Sequence, residues 1–325
     1  MASERLTEGR RVTVFGGSGF IGRYVVQRLA AEGWVVRVAV RNPVGAAFLR
    51  PLGNVGQVVP MRASLTAPNA VLEAAIAGSD VVINLVGILY ERGQQSFEAI
   101  HAEAPGRLAQ IAARSGVSTF IQFSAIGADA DSPSRYGRSK AAGEAAVRAA
   151  FPAAIILRPS IVFGPEDNFF NRFARMTLLS PALPLIGGGK TRFQPVYVGD
   201  VADAAMRALH TPAAQGKTYE LGGPRVYTFR ELMELMLAEL RRHRGLIPIP
   251  FWMAEALGAV LQHVPLIAPP LTRDQVRSLM RDNVTSPGMP GLAELGITPT
   301  ALELILPTYL DAYRRGGRFV SSSVA

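Results

Sequence analysis

A cluster of glycines near the start of the chain, Gly16-Gly17-Ser18-Gly19-Phe20-Ile21-Gly22, does most to limit the folds open to it. It follows a short apolar run, RVTVF at residues 11–15, and precedes an amphipathic segment over 20–32 that Gly33 stops. The run reads as a strand and the segment after it as a helix. Gly16 permits the tight turn between them, Gly19 lets backbone approach an anion, and Gly22 lets the helix lie close against the strand. Ser18, Phe20 and Ile21 complete the turn, and the helix N-terminus aims its free N–H groups at whatever occupies it. A glycine trio in this strand–turn–helix setting is the pattern of a pyrophosphate cradle.

The rest of the first half repeats the alternation. Residues 34–40, 55–61, 80–86, 118–124 and 153–159 read as further strands, with helices over 68–77, 96–115 and 134–150. Apolar strands alternating with amphipathic helices predict an α/β fold, a Rossmann-like doubly wound parallel sheet with helices on both faces. After about residue 160 the texture changes. A helix is expected in FGPEDNFFNRFARMTLL, a Pro/Gly-rich bend in SPALPLIGGGK, a strand in FQPVYV, a helix in GDVADAAMRALH, a strand in TYELGG and a strong helix in TFRELMELMLAELRRH. The tail from 245 to 325 reads as helical and punctuated by proline. The domain organisation is therefore a dinucleotide-binding domain over 1–160, joined by pieces of about 190–222, and a smaller, mostly helical C-terminal lobe over 161–325 interleaved with it.

The end of the second strand bears on which dinucleotide is held. An NAD site calls for an acid there, to accept from the ribose 2′-hydroxyl. No Asp or Glu occurs between Glu32 and Glu73; Arg41 stands where the strand ends, with Arg37 before it. A guanidinium in that place suits a 2′-phosphate, so NADPH is the expected cofactor.

Composition removes several classes. The chain has no cysteine, which excludes disulfides, thiol catalysis and cysteine zinc sites. His101, His210, His243 and His263 have no metal-binding spacing and are expected in the core or on the surface. The net charge of +9 raises the question of nucleic acid, but the arginines are scattered through periodic segments with no basic arm, so none is expected as a partner. GGGKT at 187–191 lacks the first glycine of a phosphate-binding loop, Pro184 standing in its place, and lacks strand-to-helix context. The N-terminus shows no apolar secretion segment, as expected of a cytoplasmic bacterial protein or a mature organellar chain. Residues 246–271 contain one charged residue, Glu255, but five prolines leave room for an apolar helix of only about a dozen residues. That helix is either part of the small lobe's core or an exposed face for a partner or bilayer surface, beside RRHR at 241–244.

The chemistry-bearing pair is Tyr136 and Lys140 in SRYGRSK, one helical turn apart. Only three lysines occur, against 31 arginines, so an ammonium at this spacing looks selected for its own properties. The pair can pass a proton to a carbonyl, or it can hold a ribose.

Together the glycine trio, NLVG at 84–87, FSA at 123–125, YGRSK at 136–140 and LRPSIVFG at 157–164 resemble the extended and atypical short-chain dehydrogenase/reductases over nearly all of 10–240. The resemblance implies that a hydroxyl just past the fifth strand should complete an active Tyr–Lys pair. In the best register that position is Ile126, and Ser124 lies two residues early, where it contacts cofactor or backbone. A narrower resemblance, carried by INLVGILYE, GPEDNFFNRFA, QPVYVGDVA and PLTRDQV…PGLAELGI, is to the NADPH-binding accessory subunits of respiratory complex I and their bacterial relatives, to about residue 305. It implies a structural role at the quinone-site side of the peripheral arm, with no catalytic residue of its own beyond Tyr136 and Lys140 as residual candidates. It also implies a peripheral place on the cytoplasmic face of a bacterial inner membrane, or on the matrix face in an organelle. Partners would be other subunits of the peripheral arm and membrane-arm junction, and lipid headgroups. On this resemblance Gly16, Ser18, Gly19, Phe20, Ile21 and Gly22 hold the pyrophosphate and Arg41 the 2′-phosphate. Ser64 and Leu65 meet the adenine, and Leu85, Val86, Gly87 and Ser124 line the cofactor. Tyr136 and Lys140 hold the nicotinamide ribose, and Pro159 and Ser160 flank the nicotinamide. A free-standing NADP-dependent reductase or epimerase, or an NADP(H)-sensing regulator, remains open as an alternative.

Overall fold

The computed structural model describes residues 9–93, 95–262 and 269–314. It divides into two compact units that the chain visits alternately: Met1–Pro159, Gly199–Leu221 and Pro287–Ile297 in the first, Ser160–Val198, Gly222–Ser286 and Thr298–Ala325 in the second.

The first unit is built on a seven-stranded parallel sheet. Its strands are β1 (Arg11–Phe15), β2 (Val35–Val40), β3 (Val58–Arg62), β4 (Val81–Asn84), β5 (Thr119–Phe123), β6 (Ile155–Pro159) and β7 (Thr218–Leu221). Their order is β7-β6-β5-β4-β1-β2-β3. The helices of this unit are α1 (Phe20–Ala31), α2 (Asn69–Ile76), α3 (Ala104–Arg114), α4 (Arg135–Ala150) and α5 (Val198–His210). The chain leaves β1 in one direction and returns to β4 on its other side, which opens a crevice at the carboxyl ends of those two strands. The strands are apolar on both faces because both are covered; Phe15, Leu72, Ile76, Val82, Leu108 and Phe120 belong to one core cluster.

Boundaries differ from the sequence reading where a side chain ends an element. β3 begins at Val58 rather than 55, because Gln57 folds back, accepting from the Asn54 N–H and donating to the carbonyls of Ala30 and Trp34. β4 stops at Asn84 rather than 86, because the Asn84 side chain accepts from the Val86 N–H and turns the chain. The long helix expected over 96–115 is a wide, π-type turn over Glu98–Glu103 followed by α3. Pro105 offers no N–H to the carbonyl four residues back, that of His101, and the register widens there.

The second unit has helices Phe170–Leu179, Phe229–Glu239, Phe251–Leu261, Arg273–Ser278 and Leu302–Leu310, and three two-stranded ladders. Ala182–Ile186 lies in the expected bend, yet it is a strand. It buries Leu183 and Leu185 and pairs in parallel with Gly245–Ile249, 63 residues away and itself in the tail expected to be helical. The strand expected in FQPVYV breaks in two at Pro195, which has no N–H for a ladder. The GPEDNFFNRFA motif is a structural staple. Asp167 accepts from the Tyr309 hydroxyl at 2.6 Å and from the Asn171 N–H at 3.1 Å, and Phe169 stacks edge-on with Phe170 and Phe173. Helix Phe251–Leu261 is not a core helix: only Ala254 and Gly258 are buried, while Trp252 is 74% and Val260 68% exposed. Among the described residues no helix is long and apolar enough to cross a membrane. Residues 1–8, 263–268 and 315–325, which include His263 and part of the apolar stretch, lie outside the described residues.

Candidate functional site

The carboxyl edge of the sheet gathers most of the residues singled out above. Gly16 has φ +78°, a left-handed conformation that glycine adopts without strain, and its carbonyl accepts from the Gly19 N–H at 3.0 Å. A Cβ on Gly22 would collide with the Gly16 carbonyl, so α1 can lie against the turn only because none is there. No side chain caps α1, and the first-turn N–H groups of Phe20, Ile21 and Gly22 have no partner within a helix. A Cβ at Gly16 would sit 3.1 Å from the Val86 nitrogen, so the turn and the Leu85–Gly87 loop after β4 form the two walls of one crevice.

Across that crevice, α4 presents Tyr136 and Lys140. Ser134 starts the helix by accepting from the Gly137 N–H. One turn beyond Lys140, Glu144 is held by a bidentate ion pair with Arg158 of β6, at 2.8 and 2.7 Å, and Arg158 also reaches Glu220 of β7 at 3.3 Å. This buried network fixes α4 against the sheet. Lys140 is buried; its Nζ makes one long hydrogen bond, 3.5 Å, to the Phe123 carbonyl and lies 5.9 Å from the centre of the Tyr136 ring. A Cβ at Gly87 would meet Lys140 Nζ at 3.4 Å and His101 Nε2 at 3.6 Å, which puts the loop, the ammonium and the imidazole at one point. Burial lowers the Lys140 ammonium to about 8, opposed by the charge of Glu144. Burial also raises the Tyr136 phenol to about 12, so it is protonated at neutral pH.

His101 had no role in the sequence reading beyond core or surface. Here it is buried, stacked on Phe97 at 5.4 Å and edge-on to Tyr136 at 5.3 Å. Its Nε2 accepts from the Ile88 N–H at 2.9 Å, and Nδ1 lies 3.2 Å from Ser139 Oγ, which itself donates to the Tyr136 carbonyl. The imidazole is thus neutral with the proton on Nδ1, and burial, with Lys140's charge second, pushes it down to about 2. It ties the Gly87–Ile88 loop to the helix carrying the Tyr–Lys pair. No local pattern marks it in the sequence, because the contact joins residues 38 positions apart.

The remaining residues fall into three groups. Ser124, at the end of β5, has a buried hydroxyl with no hydrogen-bond partner among the described residues. An orphaned Oγ, an under-coordinated buried ammonium, an uncapped helix and a turn built of glycine are the donor set that a dinucleotide requires, and the residues fit such a group. Arg41 is exposed at the end of β2, whereas Arg37 donates to the carbonyls of Ala75 and Ala77 and is turned away to α2. Ser64 holds its own turn through Thr66, and the Leu65 side chain is in the core. Pro159 ends β6 in the first unit; Ser160 belongs to the second, where its hydroxyl donates to Asn283 Oδ1 at 2.7 Å. Ile126 is buried, and its N–H donates to the Pro159 carbonyl.

A parallel sheet with this crossover, and a glycine turn facing a Tyr–Lys helix, defines the epimerase and short-chain dehydrogenase class. The chain belongs to the NAD dependent epimerase/dehydratase family, whose model matches residues 12–222. It belongs more narrowly with the mitochondrial NADH dehydrogenase [ubiquinone] 1 alpha subcomplex subunit 9: the Arabidopsis thaliana protein is 39% identical over 323 residues, 96% of this chain and 80% of that one. The Ceramide reductase of Caulobacter vibrioides is 34% identical over 201 residues, 62% of this chain and 61% of that one. Among solved structures, dTDP-glucose 4,6-dehydratase of Bacillus anthracis, in complex with NAD, has a TM-score of 0.70 at 17% identity, covering 94% of this chain and 96% of that one.

Proposed function

We propose that this protein is an accessory subunit of a proton-pumping NADH:quinone oxidoreductase and holds NADPH as a structural ligand without turning it over. The observation that carries the reading is the extent of the likeness. The epimerase family match ends at residue 222, but the likeness to the subunit runs over 96% of the chain and so takes in the second unit, whose GPEDN staple no nucleotide site needs. Site chemistry supports it. Proton donation at neutral pH is favoured by a group that titrates near that pH, and burial has moved the Tyr136 phenol the other way. Ile126 stands where the resemblance expects a hydroxyl and has nothing to donate to a developing oxyanion, a loss worth about 3–4 kcal/mol of barrier.

Bound, the nucleotide supplies a hydride that this site does not call upon. The chain's own residues do the holding. The Gly16–Gly22 turn and the α1 N-terminus receive the pyrophosphate, Lys140 donates to ribose hydroxyls, and Ser124 gives its orphaned hydroxyl a partner. Arg41, with no acid nearby in sequence, selects the 2′-phosphate. The subunit would sit peripherally, on the cytoplasmic side of a bacterial inner membrane, with helix Phe251–Leu261 of the second unit against lipid headgroups.

One reading of a different kind has support in the intact Tyr136–Lys140 pair and in the likeness to a reductase: an NADP-dependent reductase of long-chain carbonyls. A tagged chain purified from membranes in mild detergent separates the two. Co-elution with NADH:quinone oxidoreductase subunits is expected, and the absorbance of bound NADPH should persist when quinones, aldehydes and keto-lipids are offered in turn. Elution of the chain alone, with rapid NADPH oxidation abolished by Tyr136→Phe, would make SRYGRSK an active site.

A further inference from the structure

We infer that Arg62, the last residue of β3, forms with Arg41 a two-guanidinium cradle for the nucleotide's 2′-phosphate, and that Arg62 is a second determinant of NADPH over NADH. This deepens the cofactor assignment above and rests on it.

The two strands place these residues side by side. β2 and β3 run parallel with Val40 opposite Arg62, and the Ala63 N–H donates to the Val40 carbonyl at 3.0 Å, so the pairing persists to the strand ends. Neighbouring strands are about 4.8 Å apart. Arg41, the next residue after Val40, therefore leaves the carboxyl end of β2 beside the end of β3, at the same corner of the sheet as Arg62.

Charge and pairing mark this corner as unfinished. Both residues are exposed, and neither has a carboxylate, carbonyl or ring partner among the described residues. Four other arginines of this unit are engaged. Arg37 donates to Ala75 and Ala77, Arg28 pairs with Asp203, Arg11 donates to Gly78, and Arg23 donates to Gly19 and covers the Phe48 ring at 5.2 Å. No acid occurs in residues 33–72, so the segment supplies no carboxylate to neutralise either one. Two adjacent like charges repel, and a dianion between them removes that repulsion while giving each guanidinium a bidentate acceptor. A 2′-hydroxyl offers neither. The corner lies on the β2 side of the Gly16 turn, whose N–H donates to the Ala39 carbonyl, and so at the adenosine end of a nucleotide whose pyrophosphate occupies that turn.

Calorimetric titration of NADPH and NADH into wild type, Arg41→Ala and Arg62→Ala tests the cradle. Both side chains are exposed, so neither truncation removes packing. Arg62→Ala is expected to weaken NADPH at least tenfold, about 1.4 kcal/mol, and to leave NADH within about twofold. Arg62→Lys should recover part of the loss, because it restores the charge without the planar fork. If wild type prefers NADPH and Arg62→Ala keeps that ratio, Arg62 has no such role while the assignment to Arg41 stands. An equal loss of both nucleotides would make Arg62 structural and would also overturn the inference. If wild type binds the two equally, the underlying NADPH reading itself fails.

Discussion

His101 shows how much one side chain does to fix this site. It is buried between Phe97 and Tyr136, accepts from the Ile88 N–H through Nε2, a bond that only a neutral ring can make, and donates from Nδ1 to Ser139 Oγ. Its ordinary value of 6.5 is depressed to about 2 in the folded protein. Between those values the unfolded chain binds more protons than the folded one, so stability from this residue is complete above pH 6.5 and is lost as pH falls. At about 1.4 kcal/mol per pH unit, lowering pH from 6.5 to 5 should cost roughly 2 kcal/mol from this group. His101→Gln keeps an acceptor for Ile88 and a donor for Ser139 but cannot titrate. Urea unfolding at pH 5 and pH 7 should therefore differ less for His101→Gln than for wild type; an unchanged difference would mean other groups set the acid limb.

At the scale of elements, α4 is the part on which the site depends. Its position is set on one side by the Arg158–Glu144–Glu220 network and on the other by a close helix contact. A Cβ on Gly143 would overlap the carbonyl of His101, in the widened turn that Pro105 helps to create. The glycine and the proline are thus two halves of one device, since the wide turn pushes a carbonyl outward and the glycine makes room for it. Gly143→Ala should destabilise the fold by about 1–3 kcal/mol, the typical cost of overpacking, and shift α4 away from the Gly87 loop. The check is a denaturation midpoint together with nucleotide affinity. A variant as stable as wild type would show that the contact is slack.

For the whole molecule, the relevant quantities are a net charge of +9 and an apolar face that is exposed among the described residues. Trp252, Leu257 and Val260 are exposed on helix Phe251–Leu261, Ile247 is exposed on the preceding strand, and Arg241 and His243 are exposed just before it. Apolar side chains beside cations suit the interface of an anionic bilayer. Vesicles containing a third anionic phospholipid should sediment the protein. Raising salt from 0.1 to 1 M should release most of it, and Trp252→Ser should weaken binding about fivefold or more. Equal binding to neutral vesicles would exclude the electrostatic part of the attachment, and binding untouched by Trp252→Ser would exclude the helix.

The glycine turn, the strand–helix alternation and the Tyr136–Lys140 spacing were legible because each rests on local geometry: a turn of a few residues, a period of two or 3.6, one helical turn. The absence of acid after β2 was legible too, being a matter of composition over a short window. What no local pattern carries is a contact between distant segments. The ladder between Ala182–Ile186 and Gly245–Ile249, the pinning of Arg37 to α2 and the pairing of Arg158 with Glu144 and Glu220 all join residues whose proximity exists only once the sheet has formed. The same holds for solvent exposure. An apolar helix of a dozen residues looks alike in sequence whether it is covered or bare, because its period describes the helix and not its surroundings. Sequence alone therefore determined that this chain folds around a nucleotide turn. The tertiary structure decided which arginines are left free at the corner of the sheet, which histidine locks the loop, and that Trp252 faces outward.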